Sequence, residues 1–311
     1  MLYYFYCTKV KFNDKELNDL ADLHIAHVCK TFGDVTALDD MTFSVAGGEI
    51  YGFVGSNGAG KSTTMRIALG VLSADSGEVR IDNSPLSDDT RRTIGYMPEE
   101  RGLYAKEKIL DQLVFLGKLH GMSTQAARTS GTDLLEQLGL GERLDDKLSE
   151  LSLGNQQRVQ LAASLIHDPQ ILILDEPFSG LDPVAVDVMS QMLIARAARG
   201  IPVLFSSHQL DLVQRLCDHV GIVTRGHMVA DGTVDELRSR GPIRYRVTTP
   251  ARDWYPEGTR VVSENDTSVV LEAPSTDIDQ QILRSALAAG PVHAFERVVP
   301  DLTELFKEAV A

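Results

Sequence analysis

The chain has 311 residues, 43% of them hydrophobic, so it is long enough to bury a substantial core and to form two domains. Its 44 acidic and 30 basic residues give a formal net charge of -14, which repels a phosphate backbone, so we expect no nucleic-acid partner. Three cysteines without a CxxC pair indicate neither a disulfide framework nor a zinc site. No apolar run approaches the ~20 residues that cross a bilayer.

The chain divides into three predicted parts. Residues 1–23 show no clear pattern, and we expect an appended, mobile N-terminal extension. Residues 24–240 combine β-rich runs, buried strands and helices, and a glycine and a proline then mark a boundary. Residues 241–311 predict a small accessory α+β domain. One side of its helix candidate is apolar and predicts a packing face. That face consists of Ile278, Ile282, Ala286 and Ala289.

The stretch GSNGAGKST, residues 55–63, follows the apolar run GEIYGFVG and precedes a predicted helix that begins at Lys61. Its spacing satisfies the P-loop pattern, in which glycines let backbone N–H groups surround phosphates while the helix dipole adds favourable charge. We expect Lys61 to reach the β- and γ-phosphates and Ser62 to offer its hydroxyl to Mg²⁺. The full predicted phosphate cradle is Gly55, Ser56, Asn57, Gly58, Ala59, Gly60, Lys61, Ser62 and Thr63.

Two later runs, ILILDE and IPVLFSSH, predict parallel strands buried on both faces. Asp175 and Glu176 end the first run, at the carboxyl end, where open α/β sheets place their ligands. Asp175 is a candidate to hold Mg²⁺ and Glu176 a candidate to reach the attacking water, although the pair also suits an ordinary acidic turn. His208 ends the second run and is a candidate to contact the γ-phosphate, although a lone histidine is usually structural.

Between the P-loop and ILILDE, apolar residues at helical spacing predict a helical insertion over about residues 100–160. Its first apolar positions are Leu110, Leu113, Val114 and Gly117. TDLLEQLGLG predicts a further helix that a glycine ends. SELSLGNQQRVQLAASLIHDP, residues 149–169, predicts a helix whose polar, glycine-containing start presents free backbone amides to an anion. The P-loop already supplies one phosphate site, so this second helix start needs another explanation.

Residues 24–240 resemble the nucleotide-binding subunit of an ATP-binding cassette (ABC) transporter, because several motifs of that family occur in order. They are GSNGAGKST, GYMPEE at the Q-loop position, LSLGNQQRV as the signature, ILILDEP as Walker B, SGLD as the D-loop and His208 as the switch histidine. GYMPEERGLY, SLGNQQRVQLA and the tail after residue 240 resemble an export-type branch, that of sodium and drug extrusion ATPases. The implied fold is an α/β P-loop NTPase with a parallel core sheet, an antiparallel β subdomain, a helical insertion and a C-terminal α+β domain.

The resemblance also explains the second helix start. In the family, the signature helix of one subunit caps the ATP held in the P-loop of another, in a head-to-tail dimer. Further nucleotide contacts are implied for Phe32, as the aromatic that stacks on adenine, and for Ser152, Gly154, Asn155 and Asp182.

Two residues depart from the family pattern. Asn155 stands where glutamine is common, a change that keeps an amide. Glu99 stands where the family has a glutamine that ligates Mg²⁺ and senses the membrane partner. A carboxylate binds a hard cation more strongly than an amide, so we expect Glu99 to be a metal ligand. The alternative is that Glu100 or a loop movement takes Glu99 away from the metal.

The resemblance implies an ATPase with ATP and Mg²⁺ as cofactors. It acts as a homodimer or with a paired ABC ATPase subunit, and powers a separately encoded membrane-spanning permease that exports ions, drugs or other small molecules. We expect a cytoplasmic location, peripheral on the inner face of the cell membrane through the permease. Three alternatives stay open: a soluble ABC ATPase with a regulatory, non-transport role, a P-loop phosphotransferase, and a regulatory module that binds ATP without turnover.

Overall fold

The computed structural model describes residues 21–82, 84–100, 102–239, 241–298, 301–304 and 306. The expected N-terminal extension therefore lies almost wholly outside the described residues, and the first strand begins at Leu23. The chain divides into two compact units, Met1–Thr233 and Val234–Ala311. Within the described ranges no helix combines the length and the apolar character needed to span a membrane.

An antiparallel sheet opens the first unit. Its strands are β1 (Leu23–Phe32), β2 (Val35–Val45), β4 (Ser76–Ile81) and β5 (Ser84–Pro85), in the order β2-β1-β4-β5. Buried and exposed residues alternate along much of β2, the pattern of a strand with one face on the core. Phe43 of β2 stacks on Tyr51 and Phe53 of the next strand at centroid distances of 5.1 and 5.0 Å, so this sheet packs against the central one.

The central sheet has six strands. They are β3 (Ile50–Gly55), β6 (Ile94–Met97), β7 (Ile171–Leu174), β8 (Val203–Ser207), β9 (His219–Thr224) and β10 (His227–Thr233), in the order β10-β9-β3-β8-β7-β6. All pairings are parallel except that of β10 with β9. β3, β7 and β8 are buried along their whole length, which accounts for their continuous apolar sequence. Helices α1 (Lys61–Ala68), α2 (Asp88–Arg91), α6 (Pro183–Ala197) and α7 (Leu210–Leu216) connect the strands.

The predicted helical insertion lies between β6 and β7. It contains α3 (Ile109–Leu119), α4 (Thr124–Gln137) and α5 (Leu153–Leu165), with short 3-10 turns at Gly141–Arg143 and Leu148–Glu150. The four predicted apolar positions of α3 are all buried. The helix predicted from TDLLEQLGLG begins before that stretch: α4 starts at Thr124, where the Ser123 hydroxyl accepts a hydrogen bond from the Ala126 amide.

The second unit has its own sheet and core. Its elements are α8 (Val234–Ser239), β11 (Ile243–Thr248), β12 (Arg260–Glu264), β13 (Ser268–Ala273), α9 (Asp279–Ala289) and β14 (Ala294–Val298), with a 3-10 turn at Thr276–Ile278 and the antiparallel strand order β12-β13-β11-β14. Ile282 and Ala286 of α9 are buried in the core, and Ile278 packs against it. Ala289 is exposed, so the packing face is shorter than predicted. The predicted fold class is confirmed.

Candidate functional site

The loop between β3 and α1 brings backbone amides to the carboxyl edge of the central sheet. A Cβ at Gly55 would lie 2.6 Å from the Val223 carbonyl oxygen, and one at Gly60 would lie 2.9 Å from the Ala37 carbonyl oxygen, so both positions require glycine. Gly60 also has φ 107°, a conformation that favours glycine. No side chain in the described part of the chain caps α1. A helix start of this kind is an anion-binding site.

Lys61 follows this loop as the first residue of α1 and is almost fully buried. Its Nζ donates a hydrogen bond to the Gly55 carbonyl oxygen at 2.7 Å and lies 3.6 Å from Glu176 Oε1. A buried ammonium held between a loop carbonyl and a carboxylate is positioned to meet an incoming anion.

Asp175 and Glu176 follow β7, where they are 3% and 8% exposed. Ser206 of β8 orients both residues: its Oγ donates to Asp175 Oδ1 at 2.7 Å and accepts from the Glu176 amide at 2.7 Å. Glu176 has φ 48°, a left-handed conformation that is strained for a residue with a side chain. The strain turns the chain so that adjacent carboxylates can serve one site.

His208 follows β8 and contacts the same carboxylate. Its Nδ1 lies 2.9 Å from Glu176 Oε2, and its side chain is 56% exposed. Glu176 therefore has Lys61 at one carboxylate oxygen and His208 at the other. A carboxylate held from both sides, beside a phosphate cradle, has the geometry of a general base that orients water.

These groups surround a cavity of about 310 Å³. It is lined by Ala37, Ser56, Asn57, Gly58, Ala59, Gly60, Lys61, Ser62, Thr63, Glu99, Asp175 and Glu176. The Ser62 hydroxyl and three carboxylates are the hard oxygen ligands that Mg²⁺ prefers, and Mg²⁺ usually completes its shell with substrate phosphates and water. This agrees with the finding that, among the described residues, no three His, Cys, Asp or Glu side chains form a metal cage by themselves.

Several predicted nucleotide contacts do not line this cavity, although the structure describes them. Phe32 is 48% exposed, with Lys30 Nζ 5.5 Å from its ring centroid. Ser152 caps α5 by accepting from the Asn155 amide at 3.4 Å, and Asp182 caps α6 in the same way. Gly154 is also absent from the lining. The signature residues therefore do not line the P-loop cavity of the same chain.

Two residues at the site have no counterpart among the sequence-based predictions. Ser206 is the first. The pair of serines at the end of a predicted buried strand could have indicated a polar contact at that edge of the sheet. Gln160 of α5 is the other: its side-chain amide donates to the carbonyl oxygens of Pro98 at 2.7 Å and Glu100 at 3.3 Å. Nothing in the local pattern of α5 distinguishes Gln160 from an ordinary buried polar residue.

A larger cleft of about 650 Å³ lies between α4 and α6. Its charged lining includes Asp168, which accepts from Arg196 at 3.4 Å and from Arg199 at 3.2 Å. These charges already pair with one another, whereas the smaller cavity joins the glycine loop to the buried Lys61, Asp175 and Glu176. We therefore assign the chemistry to the P-loop cavity.

The fold and this cavity define a P-loop nucleotide hydrolase. Residues 38–179 match the ABC transporter family, and residues 232–310 match the C-terminal domain of ATP-binding proteins similar to DrrA1-3. The chain belongs to the ATP-binding subunits of ABC transporters, a family of ATPases, so the predicted family and enzyme class are confirmed.

Individual relatives give the same result. The chain is 38% identical over 294 residues to YhaQ, an uncharacterized ABC transporter ATP-binding protein of Bacillus subtilis. The alignment covers 93% of this chain and 98% of that protein. It is 36% identical over 221 residues to the Nod factor export ATP-binding protein I of Burkholderia lata, covering 70% and 73%. A solved ATP-binding subunit of an ABC transporter superposes with a TM-score of 0.65 at 31% identity, covering 70% of this chain and 92% of that structure.

Proposed function

We propose that the chain acts in a head-to-tail dimer, with a second copy or a paired ABC ATPase subunit, and that ATP lies between the P-loop of one subunit and α5 of the other. The exposed start of α5 carries this proposal. Ser152 is exposed and Leu153 is 40% exposed, although α5 is otherwise largely buried. A helix start that offers amides beside an exposed leucine suits a surface that closes on an anion held by a partner.

The residues of the P-loop cavity divide the work of hydrolysis. Lys61 binds the β- and γ-phosphates, Ser62 and Asp175 hold Mg²⁺, and the metal neutralises charge on the phosphates when it is bound. Glu176 accepts a proton from the attacking water. His208 holds the Glu176 carboxylate in position relative to the γ-phosphate.

Three further assignments complete the nucleotide site. Glu99 lines the cavity and acts as a metal ligand in place of the usual glutamine. Phe32 stacks on the adenine, for which its exposed ring is available. Asp182, at the start of α6, contacts the partner subunit near the shared ATP.

A separately encoded membrane permease docks against the helical insertion and the loop after Glu99. A cavity of about 250 Å³ lies there, with Leu103, Leu116 and His120 in its lining. The residues next to these in the chain include exposed large side chains, with Tyr104 at 66% and Leu119 at 67% exposure. Exposed apolar side chains are typical of an interaction site.

The transport direction we propose is export of ions, drugs or other small molecules, because the chain is similar to an ATP-binding protein of Nod factor export and carries a C-terminal domain of the DrrA1-3-like type. The protein then works in the cytoplasm at the inner face of the membrane, held there by the permease.

The test uses Glu176→Gln, which keeps the side-chain size but removes the base. We expect ATP binding without hydrolysis and a dimer in sedimentation velocity runs that contain Mg·ATP. Lys61→Ala added to Glu176→Gln is the matched control and should stay monomeric, because the phosphate cradle has lost its cation. A monomer at saturating Mg·ATP in both proteins would refute the ATP-bridged dimer.

Docking to the permease is tested by co-purification with a protein of several apolar ~20-residue spans encoded by a neighbouring gene. Leu119→Asp should weaken that complex while leaving ATP-dependent dimerisation of the Glu176→Gln protein intact. A soluble regulatory ATPase would instead hydrolyse ATP at the same rate with and without any membrane partner, and a phosphotransferase would need an acceptor.

A further inference from the structure

Residue Glu99 stands just after β6, in a segment whose backbone is held from two sides. The Met97 carbonyl oxygen accepts from the Asp175 amide at 2.8 Å, as an extension of the β6–β7 pairing. Beyond Met97 the strand ends, and the Pro98 and Glu100 carbonyl oxygens accept from a single side-chain amide, that of Gln160. The residue between these two carbonyls is Glu99, which lines the P-loop cavity.

Gln160 is suited to this contact by its chemistry and its burial. It is 4% exposed, and a primary amide has two N–H donors in a fixed plane. Its amide nitrogen lies 2.7 Å from the Pro98 carbonyl oxygen and 3.3 Å from that of Glu100, and these two residues flank Glu99 in the chain. A backbone fixed on both sides of a residue limits the positions that its carboxylate can reach.

We propose that Gln160 is a positioning residue, which holds the Glu99 carboxylate where it can bind the metal of the ATP complex. The inference rests on the proposed function, because it takes Glu99 as a metal ligand. Gln160 also lines the cavity that we propose as the permease docking site, together with Leu116 and His120. A segment seated in that cavity therefore contacts the residue that positions Glu99, so docking can alter metal affinity by moving one side chain.

The test measures the Mg²⁺ dependence of ATP binding, not turnover, in the Glu176→Gln background. Gln160→Met keeps the side-chain length and removes both donors. We expect it to raise the Mg²⁺ concentration at half-saturation about tenfold, in line with the loss of a group that orients a metal ligand. Ser164→Ala is the matched control, because Ser164 is buried one turn further along α5 and its Oγ donates to the Leu161 carbonyl oxygen of its own helix at 2.8 Å.

A double-mutant cycle separates positioning from general stability. If Gln160 acts through Glu99, Gln160→Met should have little further effect on Mg²⁺ dependence once Glu99 is replaced by glutamine. Equal effects in both backgrounds would overturn the proposal, as would an unchanged Mg²⁺ dependence in Gln160→Met alone.

A second variant covers the case in which Gln160→Met folds poorly. Gln160→Leu also removes both donors and is a common helix residue. It should raise the Mg²⁺ concentration at half-saturation as Gln160→Met does, and an unchanged Mg²⁺ dependence in a folded Gln160→Leu protein would contradict the proposal.

The remaining measurement does not depend on the proposed function. Hydrogen exchange of the backbone around Glu99, in nucleotide-free protein, should be faster in Gln160→Met than in Ser164→Ala. If ATP binding by the wild type does not depend on Mg²⁺, Glu99 is not a metal ligand. The hydrogen-exchange rates alone then decide whether Gln160 holds this segment. Equal exchange in the two variants would overturn the positioning role.

Discussion

Replacing Ser206 by alanine removes one hydroxyl that serves both acids of the site. Ser206 is fully buried, and the substitution deletes the donor to Asp175 Oδ1 and the acceptor for the Glu176 amide, each at 2.7 Å. A hydrogen bond to a charged group contributes about 1.5–3 kcal/mol, and a buried N–H left unpaired costs about 1–3 kcal/mol. We therefore expect the free energy of unfolding to fall by about 3 kcal/mol.

For a unit of this size that loss lowers the melting temperature by about 6–12 °C. Because the substitution also frees the Asp175 carboxylate and the Glu176 backbone to move, kcat for ATP hydrolysis should drop about 100-fold. Ser207→Ala is the control: Ser207 is the neighbouring buried serine, and its Oγ accepts from the Gln209 amide at 3.0 Å. Thermal unfolding without nucleotide and steady-state ATPase assays give both numbers. If Ser206→Ala matched Ser207→Ala in both, Ser206 would not orient the acids.

Lys61→Ala should abolish nucleotide binding in an equilibrium assay, because the cradle loses its only lysine; unchanged affinity would contradict the P-loop assignment. Ser152→Arg should leave ATP binding intact but prevent hydrolysis, and mixing it with Lys61→Ala should restore activity, since one composite site is then complete; two inactive proteins that stay inactive together would exclude a shared site. Burial lowers the pKa of His167 to about 4 from 6.5, and the stacked His120 ring adds to this shift. The unfolded chain therefore takes up the proton first, so the free energy of unfolding falls as the pH drops from 6.5 towards 4. The loss is about 1 kcal/mol after allowance for partial exposure, and denaturant titrations should show it reduced in His167→Phe.

The sequence was sufficient to predict the groups that follow strands. Asp175 and His208 each come directly after a buried strand, and Lys61 follows a third one after a short glycine loop; the carboxyl ends of parallel strands meet at one edge of a sheet. Their proximity therefore needed only strand identity and direction. The contacts of Ser206 needed more, because they depend on the register in which Leu174 of β7 lies opposite Phe205 of β8.

Contacts across the helical insertion were beyond prediction for a different reason. The hydrogen bond from Gln160 to Pro98 joins residues 62 positions apart in the chain. The packing of one element on the other cannot be predicted from the local sequence pattern of either. The early start of α4 has a tertiary cause as well. Gly131 lowers the helix propensity of that stretch, but a Cβ there would lie 3.1 Å from Leu110 Cδ1 and 3.3 Å from Leu113 Cβ, so the glycine permits close packing of α4 against α3.

The separate core of the second unit affects how any calorimetric trace of this chain should be analysed. Tyr245, Leu271 and Ile282 belong to a cluster that shares no residue with the cluster around Phe53 in the first unit. Two cores provide two cooperative blocks, so an all-or-none model with one enthalpy is not justified in advance. Mg·ATP supplies a way to label the peaks, since a ligand raises the melting temperature only of the block that binds it. The peak whose melting temperature rises with nucleotide belongs to the unit that contains Ser206. The peak whose melting temperature does not change is an internal reference in the same sample.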